Sequence, residues 1–484
     1  MAASFFFYDL ETSGISPHSA RIMQFAGQAT DMDLIPIGEP VNLLIKLSPD
    51  VLPEPDAIMI TGITPQQTIA DGLTEAGFLK YFYNHVVKPG TIFVGFNNIR
   101  FDDEFVRFIN YRNFYDAYEW QWKDNCSRWD LLDLVRMTRA LRPDGIEWPF
   151  AAGGKPTNRL ELLTIVNKLA HSQAHDALSD VQATIAVASL IKSKQPDLFS
   201  YLLENRSKQA VKELVQKATP FVYTSSHYSS KFAHTTIAIQ LAKHRTQDAS
   251  LVYDLRYDPT PFLSMSAGQL IKAWKYSKDP SKLRLPIKTL KYNRCPAIAP
   301  LGVIKDSETQ HRLGINLDEI TKNLATLKKH KAGFTDHLRE AVAIMDKERE
   351  GVQAGLVDDR LTVDKRLYDS FINRTNGPAM SAIRTSGPDD LTSLESNLAD
   401  ARLKSLLPLY KARNFPKSLS HEERTAWEEF IASKLFAGGQ SSLFAKYMSR
   451  LEELSKTKLS GGKQYLIEEL KLYGESIVAA DAAD

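Results

Sequence analysis

The run FFFYDLET, residues 5–12, sets four aromatic side chains ahead of two carboxylates that stand only two positions apart. Consecutive large apolar residues bounded by polar ones read as a strand covered on both faces, the kind that sits inside an α/β sheet. Side chains alternate along a strand, so Asp9 and Glu11 leave its end on the same face. Two converging carboxylates attract a cation. A solitary Asp-x-Glu is more often a pair of solvated acids, so the rest of the chain must decide.

Outward from this run, RIMQFAGQAT (21–30) and VNLLIKL (41–47) read as hairpin partners and TIFVGFN (91–97) as a further strand. Helical spacing follows in FDDEFVRFINYRN (101–113), RWDLLDLVRMTRAL (128–141), RLELLTIVNKLA (159–170) and DALSDVQATIAVASLIKSK (176–194). Residues 4–193 are therefore expected to form an α/β domain whose sheet has an antiparallel part. Over 196–350 the runs PFVYTSS, TTIAIQLA, ASLVYDLR and LPIKTLKYNRCPAIAP are short and separated by turn formers, which predicts a small β-rich domain with accompanying helices. From 357 to 484 the periodicity is helical, with Ser420 before HEERTAWEEFIASKLF as a cap.

At 484 residues several domains are expected, and 43% hydrophobic with 24% charged residues excludes a disordered or fibrous chain. The net charge of +2 does not announce a nucleic-acid binder, so any electrostatic footprint has to be local. No run approaches the roughly 20 apolar residues of a membrane span, and the N-terminus lacks the basic start of a signal peptide. Cys126 and Cys295 have no metal-like spacing. A cytoplasmic, membrane-free monomer is expected.

Three further residues give Asp9 and Glu11 company. Asp102 follows a strand and opens a helical pattern, where a carboxylate can face the cleft beyond strand ends. His175 and Asp180 stand five apart ahead of an apolar helix, so they share one region only if the histidine lies on the loop before it. Each has a plain alternative: Asp102 or Asp103 as a helix cap, His175 as a surface residue beside a capping acid. As an ordered set, the four acids and the histidine match the histidine-bearing branch of the DEDD exonucleases.

Beyond those residues, IMITGITPQQ, FVGFNNIRFDDEF, YRNFYDAY, NCSRWDLLDLVR, ALRPDGIEWP and AHDALSDVQATIA resemble the bacterial exonuclease I family almost residue for residue. The likeness continues in PIKTLKYNRCPAIAP, HRLGIN and YKARNFP and is looser over about 215–280. It implies an RNase H-like α/β exonuclease domain (4–193), an SH3-like β-rich domain (196–350) and an all-helical C-terminal domain (357–484). It also implies 3′-to-5′ digestion of single-stranded DNA to 5′-mononucleotides, in DNA repair and recombination. Asp9, Glu11 and Asp180, with Asp102 directly or through water, would hold two Mg2+ ions, Mn2+ being a substitute. His175, titrating near neutrality, would take the proton from the attacking water.

Between Tyr111 and Trp129, aromatic residues alternate with Arg112, Lys123 and Arg128, a composition suited to stacking unpaired bases. Several of these rings must be core instead. The resemblance selects Tyr118 and Trp122 as strand contacts and leaves Trp120 and Trp129 to the interior. It adds Arg107, Arg136 and Arg159 as phosphate partners, Lys288 and Lys291 in the second domain, and Tyr368, Phe371, Lys411 and Arg413 from the C-terminal side. It further implies docking of the C-terminal tail of single-strand binding protein on Arg142, Tyr201 and Lys305. An RNA or short-oligonucleotide exonuclease predicts a one-domain chain, a nuclease-dead scaffold predicts lost acids, and a polymerase proofreading subunit leaves the last two segments unexplained.

Overall fold

In the computed structural model, residues 3–170, 176–275, 279, 282–353 and 359–481 are described. They group into two units, one of Met1–Ser127, Ser172–Gln182 and Leu356–Asp484, the other of Arg128–His171 and Ala183–Gly355.

The first unit is built on β1 (Ser4–Thr12), β2 (Ile22–Thr30), β3 (Pro36–Leu44) and β4 (Thr91–Gly95), ordered β3-β2-β1-β4. β1 runs antiparallel to β2, with Asp9 opposite Ala26 and Glu11 opposite Gln24, and parallel to β4. Register slips between Glu11 and Thr12, so the pairing is broken just where the carboxylates leave the sheet. One face of β1, through Phe6, Tyr8 and Leu10, packs into a core with Phe25, Phe78, Phe82, Phe93 and Trp120. The opposite parity leaves Asp9 and Glu11 on the other face.

Local signals behave as their chemistry requires. In IMITGITPQQ, helix Pro55–Thr61 ends at Gly62, whose φ of 73° suits glycine, and Thr64 opens the next helix in a capping box with Gln67. Ser420 likewise forms a capping box with Glu423 at the start of helix His421–Leu435. The expected helix over 128–141 is corrected at its start: Ser127–Asp130 is strand, and Asp130 turns the chain by accepting from the Leu132 amide before helix Leu131–Leu141. The pattern over 159–170 yields only helix Leu160–Val166.

The C-terminal part of this unit is helical, with Ala401–Asn414, Leu443–Ser455 and Gly461–Asp481 beside His421–Leu435. It shares a core with the sheet-bearing part, where Phe108, Tyr111 and Phe114 pack with Leu403, Leu406 and Tyr410. A buried ion network lies in the same unit. Asp50 meets Arg413 at 2.7 Å and Lys434 at 2.6 Å, and Asp364 meets Arg21 at 2.8 Å and Arg413 at 2.7 Å. Arg413 is therefore interior, which corrects its expected place along a groove; Lys411 is also buried, 2.6 Å from Glu423.

In the second unit five strands form one antiparallel sheet in the order Ile287–Lys291, Ala249–Asp254, Thr235–Lys243, Phe221–Thr224, Ala297–Pro300. Phe221, Tyr223, Val252 and Ile298 join Val211 and Val215 in its core. The helical complement includes the 37-residue Leu317–Gln353. Among the described residues no helix is long and apolar enough to cross a membrane.

Candidate active site

Carboxylate oxygens of Asp9, Glu11 and Asp180 all lie within 4.8 Å of one another. The first two come from the end of β1. Asp180 comes from the first turn of helix Ala177–Lys194. That helix is capped by Asp176, whose Oδ2 accepts from the Ser179 amide at 3.0 Å and whose carbonyl accepts from the Asp180 amide at 2.9 Å. Capping is thus done by Asp176, which leaves the Asp180 carboxylate to the cluster. His175 lies outside the described residues.

Asp102, buried in the first turn of helix Asp102–Arg112, is not among the three mutually close carboxylates. Its neighbour Asp103 is not a cap. Asp103 accepts a hydrogen bond from the Tyr8 hydroxyl and a longer one, at 3.4 Å, from Asn98 Nδ2. Tyr8 points away from the Asp9 face, so this bond ties the back of β1 to the start of the helix that carries Asp102. Sequence pattern had no means of pairing residues 95 positions apart.

Burial, then the charge of Asp180, pushes the Asp9 carboxyl well above the usual range. Burial followed by the charges of Asp9, Asp180 and Asp176 raises Glu11 to about 9. The contrast with Asp50 is direct: equally buried, it is held well below its ordinary value by Arg413, Lys434 and Arg21. Asp9 and Glu11 have no such protein cation among the described residues. A hard dication fits this all-oxygen donor set and would supply the missing charge.

In the same unit, Arg107 is buried and spoken for. It meets Glu104 at 2.7 Å and Gln121 at 3.0 Å, and its guanidinium lies 5.5 Å from the Tyr118 ring centroid. Tyr118, Trp122 and Phe371 line a cavity of about 530 Å3 together with Arg374 and Arg384. Phe371 is 87% exposed and Trp122 55%, whereas Trp120 is 1% exposed in the core, as expected. Tyr368 is also exposed, and its hydroxyl donates to Glu104. Arg374 and Arg384 were not singled out from the sequence; an aromatic run gives no signal for cations more than 250 residues away.

In the second unit Trp129 is buried, Arg136 pairs with Asp133 at 2.7 Å, and Arg159 is exposed at the head of helix Leu160–Val166. Lys288 is half-buried and Lys291 exposed on strand Ile287–Lys291. Arg142 reaches the Val303 carbonyl at 3.4 Å, two residues from exposed Lys305. The Tyr201 hydroxyl, raised by burial, has no partner among the described residues.

A sheet whose first strand ends in paired acids, joined by a third acid from a late helix, defines a metal-dependent exonuclease of the DEDD class. Accordingly, residues 6–188 match the family model described as Exonuclease, 206–343 that of the exonuclease I SH3-like domain and 361–477 that of the exonuclease I C-terminal domain. Exodeoxyribonuclease I of Haemophilus influenzae is 40% identical over 444 residues, 89% of this chain and 90% of the relative. The chain belongs to the exonuclease I family. Its structure resembles exonuclease I from Methylocaldum szegediense, with TM-score 0.91, 39% identity and coverage of 99% and 100% of the two chains. It also resembles a zinc-bound Escherichia coli ExoI–ssDNA complex (0.90, 34%, 99% and 100%) and an ExoI/SSB-Ct complex (0.90, 35%, 99% and 100%).

Proposed function

We propose that this protein is an exodeoxyribonuclease that digests single-stranded DNA from the 3′ end and releases 5′-mononucleotides, in DNA repair and recombination. The observation that carries the chemistry is the Asp9–Glu11–Asp180 cluster, three carboxylates within 4.8 Å with no protein cation on Asp9 or Glu11 among the described residues. Together with Asp102, directly or through water, these acids would hold two divalent ions, Mg2+ in the first instance. When bound, the pair supplies positive charge to the phosphodiester and acidifies the attacking water. His175 accepts the proton of that water. The bulge after Glu11 and the Asp176 cap hold the carboxylates convergent, so ion binding needs little rearrangement.

Trp122 and Phe371 present exposed rings to unpaired bases, and Arg107 braces Tyr118 from behind. Duplex DNA hides its base faces, which is the physical ground for single-strand preference. Arg136, Arg159, Lys288 and Lys291 are the phosphate partners of the second unit. Arg142 and Lys305, with the unpartnered Tyr201 hydroxyl, receive the acidic tail of single-strand binding protein. The three consecutive domains are the exonuclease domain (4–193), the SH3-like domain (196–350) and the helical domain (357–484).

A 5′-labelled single-stranded oligonucleotide, incubated with Mg2+ or with chelator beside its duplex and an RNA copy, tests the activity. Stepwise shortening from the 3′ end of single-stranded DNA, only with metal, is expected; tight binding without cleavage would overturn it. His175→Ala is expected to keep metal binding and lose turnover, and unchanged turnover would remove His175 from the mechanism.

A further inference from the structure

A cavity of about 740 Å3 in the second unit shares only Lys288 with the residues assigned above. Its lining is cationic: Arg256, Lys282, Arg284 and Lys288 against the carboxylates of Asp254 and Asp258. Both acids are turned to protein donors. Asp254 accepts from the Thr236 hydroxyl and the Arg256 amide, and Asp258 from the amide and hydroxyl of Thr260. Burial, then the neighbouring Arg284, lowers the ammonium pKa of Lys288, with the charge of Asp254 opposing them.

Two buried donors in the lining lack acceptors. The Tyr228 hydroxyl, on a residue only 7% exposed, and Nε of Arg256 have no hydrogen-bond partner among the described residues. Arg256 is nonetheless fixed, since its Nη2 donates to the carbonyls of Thr235 and Leu313 and its guanidinium lies 3.9 Å from the Phe232 ring centroid. Buried donors without acceptors are costly, and an incoming oxyanion removes that cost. The walls add Trp274 and the half-exposed ring of Tyr257, and the volume is that of a small-molecule site, larger than a bare phosphate needs.

We propose that this cavity binds a nucleotide, its phosphate toward Tyr228, Arg256 and Lys288 and its base against Tyr257. The reading rests on the nuclease activity for the supply of nucleotides. A free 5′-mononucleotide and a nucleotide within a strand share this chemistry. The Tyr228 hydroxyl gives a selective test, because removing a group that has no partner among the described residues should leave stability unchanged or raised.

The full-length protein in chelator, which silences hydrolysis, is titrated calorimetrically with dAMP, inorganic phosphate and a single-stranded oligonucleotide, and melted without ligand. Saturable dAMP binding is expected. Tyr228→Phe should weaken it about tenfold with no fall in melting temperature. Tyr257→Ala should weaken dAMP but not phosphate. If dAMP fails to bind while both variants weaken the oligonucleotide, the occupant is a nucleotide of the strand. Binding of all three probes unchanged in both variants, or a lower melting temperature for Tyr228→Phe, overturns the site. Failure of the nuclease reading is seen separately, in the metal-dependent cleavage of the labelled oligonucleotide.

Discussion

Arg21, just ahead of β2, donates from Nη2 to the carboxylate of Asp364 at 2.8 Å, a partner 343 positions away in sequence. Asp364 also receives Arg413, and Arg413 and Lys434 both reach Asp50, so the sheet-bearing and helical parts of this unit are joined by charge in the interior. Breaking a buried pair from one side strands its partner. Asp364→Asn is expected to cost about 3–5 kcal/mol, read as a lower urea midpoint, whereas loss of the exposed Arg450–Asp56 pair should leave the midpoint nearly unchanged.

The same network sets the acid limit. Burial alone would raise the carboxyls of Asp50 and Asp364, but Arg413, Lys434 and Arg21 win and hold both well below the ordinary range. Their folded values are depressed, so their contribution is complete above the unfolded value of about 4 and is lost as pH falls through the folded one. Melting temperature should drop steeply below about pH 4, and Asp50→Asn should flatten that limb while lowering the plateau at neutral pH. An unchanged acid limb would show that the network does not control it.

The opposite sign holds at the metal site. Burial and the charges of Asp9, Asp180 and Asp176 raise Glu11 to about 9, so in the metal-free protein it contributes stability below about pH 4.5 that is lost as pH rises toward 9. Metal must displace these protons. Mg2+ titration at pH 7 in two buffers of different ionisation enthalpy should therefore show net proton release, reduced in Glu11→Gln. Equal apparent enthalpies in the two buffers would refute protonated carboxyls in the metal-free site.

Much of this was legible where the signal is local. Period-two spacing put Asp9 and Glu11 together, apolar runs between turn formers marked most strands of the two sheets, and Ser420 marked the start of its helix. What was illegible depends on partners far along the chain. Arg413 read as a groove cation because nothing near it in sequence reveals Asp50 or Asp364. A cap stood as an alternative for Asp103 because its partner, Tyr8, belongs to another element. Residues 128–130 carry helical spacing yet form strand, since burial of Trp129 and the Asp130 cap outweigh a weak local preference.

Trp120 and Trp122 separate packing from binding across two positions of chain. Trp120 meets Phe93 at 5.0 Å and Tyr8 at 6.4 Å between ring centroids, while Trp122 lines the aromatic cavity. Trp120→Ala should destabilise by about 3–5 kcal/mol. Trp122→Ala should leave melting unchanged and weaken single-stranded DNA by about 1–3 kcal/mol, measured by fluorescence anisotropy in chelator. Phe371→Ala should behave as Trp122→Ala.

Asp9 offers the sharpest opposition between stability and activity. Its carboxyl is buried and crowded by Asp180 and Asp176 with no protein cation among the described residues to offset them, so the metal-free fold carries a repulsion that serves the reaction rather than the packing. Asp9→Asn keeps the size of the side chain and removes the charge. The metal-free variant should melt no lower than the parent, and as pH rises toward 9, where deprotonation builds the repulsion, it should melt higher. It should also lose most of the stabilisation that Mg2+ gives the parent. Metal charge at the phosphodiester is worth several kcal/mol, so cleavage should fall by about a thousandfold or more. A variant that melts lower without metal would mean that Asp9 is engaged by the protein itself, and one that cleaves at the parental rate would remove it from the site.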